Sequence, residues 1–172
     1  MPRLFFALWP DEAARAILAP LAKRTASAGG GRAVPAANLH LTLVFLGDVP
    51  HDRIGLLSSV ASTVRMSAFD LSLDRTGTFR RTGVAWAGPS AVPPALEALQ
   101  RGLDRALRDA GFALEERPFV PHLTLARKLR TWPPAGPFGP AAWRVDGFSL
   151  VESARESGAY RDIGRWKPGG EI

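Results

Sequence analysis

Residues 38–47 read NLHLTLVFLG and residues 117–127 read RPFVPHLTLAR, so His40-Leu41-Thr42-Leu43 returns as His122-Leu123-Thr124-Leu125. The chain has three histidines, and two of them open these copies. From the chain's own composition, a chance second copy has a probability on the order of one in 500. Each copy lies in an apolar, strand-like run, where successive side chains point to opposite faces. His40 and Thr42 therefore share one face and Leu39, Leu41 and Leu43 the other; His122 and Thr124 stand in the same way against Leu123 and Leu125. Each leucine row can pack on a helix, leaving each polar pair to line a groove. Two half-folds meeting about a pseudo-twofold axis would set the two polar pairs across one cleft.

Outward from the motifs, hydrophobic periodicity predicts the remaining elements. Arg3 to Trp9 reads as a buried strand. Pro10 and Asp11 open a helix to about Ala26, with Ala14, Ile17, Leu18 and Leu21 as its apolar stripe and Gly29 to Gly31 as its stop. Leu39 to Leu46 is a strand, Asp52 to Val64 a helix, and Phe69 to Leu73 and Gly83 to Ala87 two more strands. Pro93 and Pro94 start a helix over Ala95 to Asp109, striped with Leu96, Leu99, Leu103 and Leu107 and ended by Gly111. His122 to Ala126, Trp143 to Val151 and Tyr160 to Trp166 read as strands. Thr131 to Pro140, rich in Pro and Gly, reads as a surface loop with the composition of a mobile segment. Helices interleaved with hairpin-like strands predict an α+β fold built on antiparallel sheet.

At 172 residues the chain fits one domain, or two small lobes sharing a core, and 46% hydrophobic residues are enough to build one. The absence of cysteine excludes disulfides and thiolate metal sites. The apolar run Leu4 to Trp9 is too short for a signal peptide or a membrane span, which points to the cytoplasm. The formal charge is +6, and 19 of the 22 basic residues are Arg. A guanidinium fork matches phosphate oxygens, so this balance is compatible with RNA or a nucleotide, although a GC-rich coding bias produces the same composition.

Two imidazoles with ordinary pKa near ~6.5 can hold opposite protonation states at neutral pH. One can take a proton from water while the other gives one to a leaving oxygen. Hydrolysis of a 2',3'-cyclic phosphate needs those two transfers on opposite sides of phosphorus. Thr42 and Thr124 can donate to the non-bridging oxygens, and Arg127, three residues past Thr124, can add a bidentate contact. A lone His-x-Thr is a weak signal; its repetition carries the weight. Zinc catalysis usually takes three protein ligands, whereas each cleft here has two histidines and no carboxylate at ligand spacing, so no metal and no cofactor is called for. His51, after Pro50, has no Thr two residues on and reads as an exposed turn residue. Gly29-Gly30-Gly31-Arg32 lacks the phosphate-loop pattern, no Gly-x-Ser-x-Gly elbow occurs, and Phe5, Phe6 and Trp9 read as core rather than base-stacking platforms.

With these residues in place, the chain resembles the two-histidine (2H) phosphoesterase superfamily, and within it is similar to the bacterial RNA 2',3'-cyclic phosphodiesterases, historically called 2'-5' RNA ligases. The resemblance covers nearly the whole chain, including residues 3–7, both motifs with their flanks, and the segment Phe148 to Trp166 with Ser153, Gly158 and Tyr160. It implies a single bilobal domain over 1–172, with two pseudo-symmetric lobes of antiparallel sheet around a central cleft and helices outside. It implies metal-free hydrolysis of an RNA 2',3'-cyclic phosphate end, or a cyclic nucleotide, to a 2'-phosphate. His40 and His122 are then the catalytic pair, His122 as base and His40 as acid toward O3', with Thr42, Thr124 and Arg127 on the phosphate. Three alternatives stand beside it: 2'-5' ligation or cleavage of a related cyclic-phosphate or 2'-5' substrate, an RNA-end binding module without turnover, and a structural protein with a coincidental repeat. Nothing in the chain calls for a membrane partner or more than a monomer.

Overall fold

The computed structural model describes residues 1–169. In chain order it contains β1 (Arg3–Leu8), α1 (Glu12–Gly29), β2 (Arg32–Ala33), β3 (Leu41–Asp48), α2 (Ile54–Thr63), β4 (Phe69–Phe79), β5 (Val84–Gly88), α3 (Pro94–Asp109), β6 (Leu123–Arg127), β7 (Gly136–Val145), β8 (Phe148–Ser153) and β9 (Tyr160–Trp166). Single 3-10 turns cover Ala36–Asn38 and His51–Arg53. The fold is α+β, as expected. The strands form one antiparallel sheet in the order β7-β4-β5-β6-β3-β1-β8-β9, with β2 on β6.

The sheet has two four-stranded halves that meet where β3 and β6 share a single rung, Leu41 opposite Leu123. It cannot be flat. Six strand spacings would put β7 about 29 Å from β8, yet only Asp146 and Gly147 join them, a link that reaches roughly 10 Å. The sheet therefore bends strongly about its middle, where the two motifs lie.

The leucine face carries the core. Leu41, Leu43, Leu123 and Leu125 are all buried in one cluster that also takes in β1, β4, β7, β8 and the three helices. Leu96, Leu99, Leu103 and Leu107 form the buried stripe of α3 as read from the sequence, and α3 packs against β3 and α2. Helix α1 crosses to the other half and packs on β6 and β7. Asp11 caps it by accepting from the Ala14 N–H at 2.8 Å, and Gly30, at φ 66°, closes it in the left-handed conformation.

Four elements differ from the sequence reading. The buried stripe of α1 is Ala14, Leu18, Ala22, Ala26 and Gly29, while Ile17 is 42% exposed. Small residues win because the helix lies close to the sheet: a Cβ on Gly29 would stand 2.5 Å from Leu129 Cδ2. The alternation of β4 runs on to Phe79, since Gly77 makes room for the Trp86 ring that lies over it. Residues 136–140, read as loop, form the first half of β7; their prolines are tolerated because β7 is an edge strand with one unpaired side. The run Trp143 to Val151, read as one strand, is two, broken at Asp146 and Gly147 where the chain leaves one half of the sheet for the other.

Candidate active site

The rung between β3 and β6 decides how the motifs meet. Directly opposed residues share a face, so Leu41 and Leu123 enter the core together, and His40, Thr42, His122 and Thr124, all half-buried, lie together on the other face. The alternation predicted within each copy thus holds, and the structure brings the two copies to one place.

Both histidines are held alike. His40 Nδ1 lies 2.7 Å from the carbonyl of Asn38, and His122 Nδ1 lies 2.7 Å from that of Val120, in each case two residues back. A carbonyl oxygen only accepts, so each Nδ1 carries hydrogen and each Nε2 is left for chemistry. The turn before His40 is tied down by Asn38, whose side-chain amide donates to the Gly158 carbonyl at 3.0 Å. The segment before His122 lies against β5 at Gly88, where a Cβ would stand 3.1 Å from the Pro121 carbonyl.

The surroundings then diverge. His40 stacks on Phe5 at 4.7 Å between centroids, with Tyr160 edge-on at 5.3 Å and Trp9 at 5.8 Å. Its Nε2 accepts from the Thr42 hydroxyl at 2.9 Å. His122 meets one ring, Phe79, edge-on at 5.1 Å, and lies closer to solvent. Burial among rings lowers the His40 pKa to about 4; the Asn38 carbonyl works against this, and the charges of Arg127 and His122 add to it. His40 is therefore neutral at pH 7 in the free protein.

That lowering makes a stability prediction. Above about pH 6.5 the ring is neutral in folded and unfolded chains alike; between there and pH 4 only the unfolded chain takes the proton, so stability falls with pH. The difference amounts to at most roughly 3 kcal/mol. Urea midpoints should drop from pH 7 to pH 4.5 more steeply in the unmodified protein than in His40→Gln. Parallel curves would remove His40 as the cause.

Arg127 is placed by a bulge. Opposite β5, Ala126 pairs with Ala85 and Thr124 with Trp86, leaving Leu125 extra. Leu125 and Ala126 both enter apolar clusters, and Arg127 turns back to the side of Thr124, where its charge reaches His40. Strict alternation would have sent it to the leucine face. The chain just past it is held by the Leu129 N–H, which donates to the Gly83 carbonyl at 3.0 Å, and by the Arg130 N–H, which donates to the Gly29 carbonyl at 2.7 Å. Gly31 is required here, since a Cβ would lie 2.4 Å from the Arg127 carbonyl.

His51 lies in an exposed 3-10 turn, apart from the site. Phe6 lies in the main core, as read; Phe5 is core too, 4% exposed, but in a separate small cluster with Ala7 and Val151 beside His40, with the partly buried Trp9 packed against it. The signal was present in β1, where Leu4, Phe6 and Leu8 alternate with Phe5, Ala7 and Trp9. Among the described residues, no group of three or more His, Asp or Glu side chains stands together as a metal site needs. None of the helices described is long and apolar enough to cross a membrane.

Two pairs of His and Thr on one face of a bent antiparallel sheet define the class of two-histidine phosphoesterase folds. Residues 9–157 match the model of the 2'-5' RNA ligase superfamily, and the chain belongs to that family. It is 38% identical over 141 residues to the RNA 2',3'-cyclic phosphodiesterase of Escherichia coli, covering 79% of each chain. With the enzyme of the same name from Thermus thermophilus it shares 33% over 162 residues, covering 88% of this chain and 81% of that one. The fold superposes on E. coli LigT complexed with 3'-AMP at a TM-score of 0.90 and 33% identity, over 98% of this chain and 99% of that one. A Thermus thermophilus structure, TT0787, gives 0.83 at 30% identity, over 99% and 100%.

Proposed function

We propose that this protein hydrolyses the 2',3'-cyclic phosphate end of RNA to a 2'-phosphate, without a metal, as a monomer whose two half-sheets act as one catalytic domain. One observation carries the reading: two imidazoles held alike through Nδ1, which leaves Nε2 of each as the atom for proton transfer, stand with their threonines on one face across a single rung. The names of the relatives from E. coli and Thermus thermophilus support it.

Water attacks phosphorus in line with O3'. His122, nearer to solvent, takes the water proton on Nε2 as the new P–O bond forms. His40 gives its Nε2 proton to O3' as the P–O3' bond breaks. Burial suits His40 to this part, because an imidazolium destabilised by its surroundings is a strong acid. The anionic phosphate supplies the charge that lets His40 take up its proton in the complex. Thr42, Thr124 and Arg127 hold the non-bridging oxygens, Thr42 turning its hydroxyl from His40 to do so.

Incubating the protein with a 2',3'-cyclic-phosphate oligonucleotide in excess chelator tests this. The expected product is a 2'-phosphate end. A 3'-phosphate, or activity abolished by chelator and restored by zinc, refutes it. Binding without turnover would make the protein an end-binding module. The family's name favours one second reading: a 5'-hydroxyl in place of water would yield a 2'-5' linkage through the same proton transfers, and adding an acceptor RNA to the assay reveals it as a longer product.

A further inference from the structure

Basic residues gather at the Arg127 end of β6, on the side of the site served by His122. Arg32 of β2 is directly opposite Arg127 across the ladder. On the other flank of β6, the β4–β5 turn carries Arg80 and Arg81, and its Gly83 lies against Lys128 and Leu129. Arg32, Arg80, Arg81, Lys128 and Arg130 are all exposed. Arg80 lies over the ring of Trp132 at 5.8 Å, and that ring is itself 37% exposed.

Like charges set opposite one another in a sheet destabilise it, and here nothing local neutralises them. Among the described residues, no ion pair involves any of these side chains or Arg127; Arg144, Arg161 and Arg165, elsewhere on the sheet, and Arg155, in the β8–β9 loop, are each paired with a carboxylate. The sequence shows the same division. Residues 13–47, 75–96 and 117–145 contain no Asp or Glu, and these three stretches supply β2, the β4–β5 turn and the end of β6. Three adjacent segments, distant in the chain, thus gather unneutralised guanidinium and ammonium groups around the Arg127 end of β6, on both of its flanks, with an exposed indole against Arg80.

We propose that this cluster receives the RNA chain behind the cyclic end: Arg32, Arg80, Arg81, Lys128 and Arg130 bind phosphodiesters of a single strand, and Trp132 stacks on a base. The inference rests on the proposed function and adds to it that the protein prefers a polynucleotide end to a cyclic mononucleotide. A groove of cations with an aromatic platform is the arrangement that holds single strands without reading their sequence.

The test compares the unmodified protein with Arg32→Gln/Arg80→Gln/Arg81→Gln on two substrates, 2',3'-cyclic AMP and a uridine octanucleotide ending in a 2',3'-cyclic phosphate. Expected for the octanucleotide is a fall in kcat/KM of about tenfold or more, with a flatter dependence on salt, since each phosphate contact to a single strand contributes a slope near ~0.7. Hydrolysis of 2',3'-cyclic AMP should stay within about twofold. An unchanged octanucleotide rate, or equal losses on both substrates, overturns the proposal. Fluorescence anisotropy with a 3'-phosphorylated octanucleotide needs no turnover. If the unmodified protein hydrolyses neither substrate, the proposed function fails, and this binding measurement still decides the surface: weaker binding by the variant supports it, equal binding overturns it. Should the triple variant not fold, the single substitutions, each expected to weaken binding about two- to fivefold, are read in the same way.

Discussion

Replacing His40 or His122 with alanine lowers turnover of a cyclic-phosphate RNA end by roughly 10²–10⁴-fold each, the usual contribution of a positioned acid or base. The double variant falls little further, because residues that act as one couple lose most of their effect together. Circular dichroism should show both single variants folded. Neither Nδ1 bond ties distant parts of the chain, since each runs to a carbonyl two residues back. The pH profile separates the partners. Because the His40 pKa in the free protein is lowered to about 4 and the bound phosphate raises it, the acid limb of kcat should lie at higher pH than that of kcat/KM. Coincident limbs would assign the donor role elsewhere, and near-normal turnover by either alanine variant would end the two-histidine reading.

Leu123→Ala should destabilise the protein by about 2–5 kcal/mol, the usual cost of a large-to-small change in a core. That is a large share of the ~5–15 kcal/mol typical of a whole domain. Leu123 is fully buried, faces Leu41 across the one rung between β3 and β6, and belongs to the main core. Its loss also loosens the junction that sets His40 against His122, so kcat should fall in protein that is still folded. Urea unfolding measures the first effect and single-turnover kinetics the second. A change under about 1 kcal/mol would mean that the junction is held by other contacts.

The legible part of this molecule is the part written in local periodicity. The leucine stripe of α3 and the alternation in both motifs follow from side-chain direction within one element, and each is found in the structure. The α1 stripe misled because small residues, not the largest apolar ones, face a closely approaching sheet. Residues 136–140 misled because their prolines argue against a strand unless its edge position is known.

By itself, the sequence determined which residues form the site candidates, since His40, Thr42, His122 and Thr124 announce themselves by repetition, and which face of each strand they occupy. Tertiary structure alone decided that the two copies meet, because pairing register is a property of two strands distant in the chain and no periodicity encodes it. It also decided the inequality of two identical motifs. His40 acquires Phe5, Trp9 and Tyr160 from β1, its flank and β9, while His122 acquires Phe79 from β4. Burial, and with it the cost of carrying a proton, is set by what packs around a ring, and those neighbours lie far from either motif in the chain.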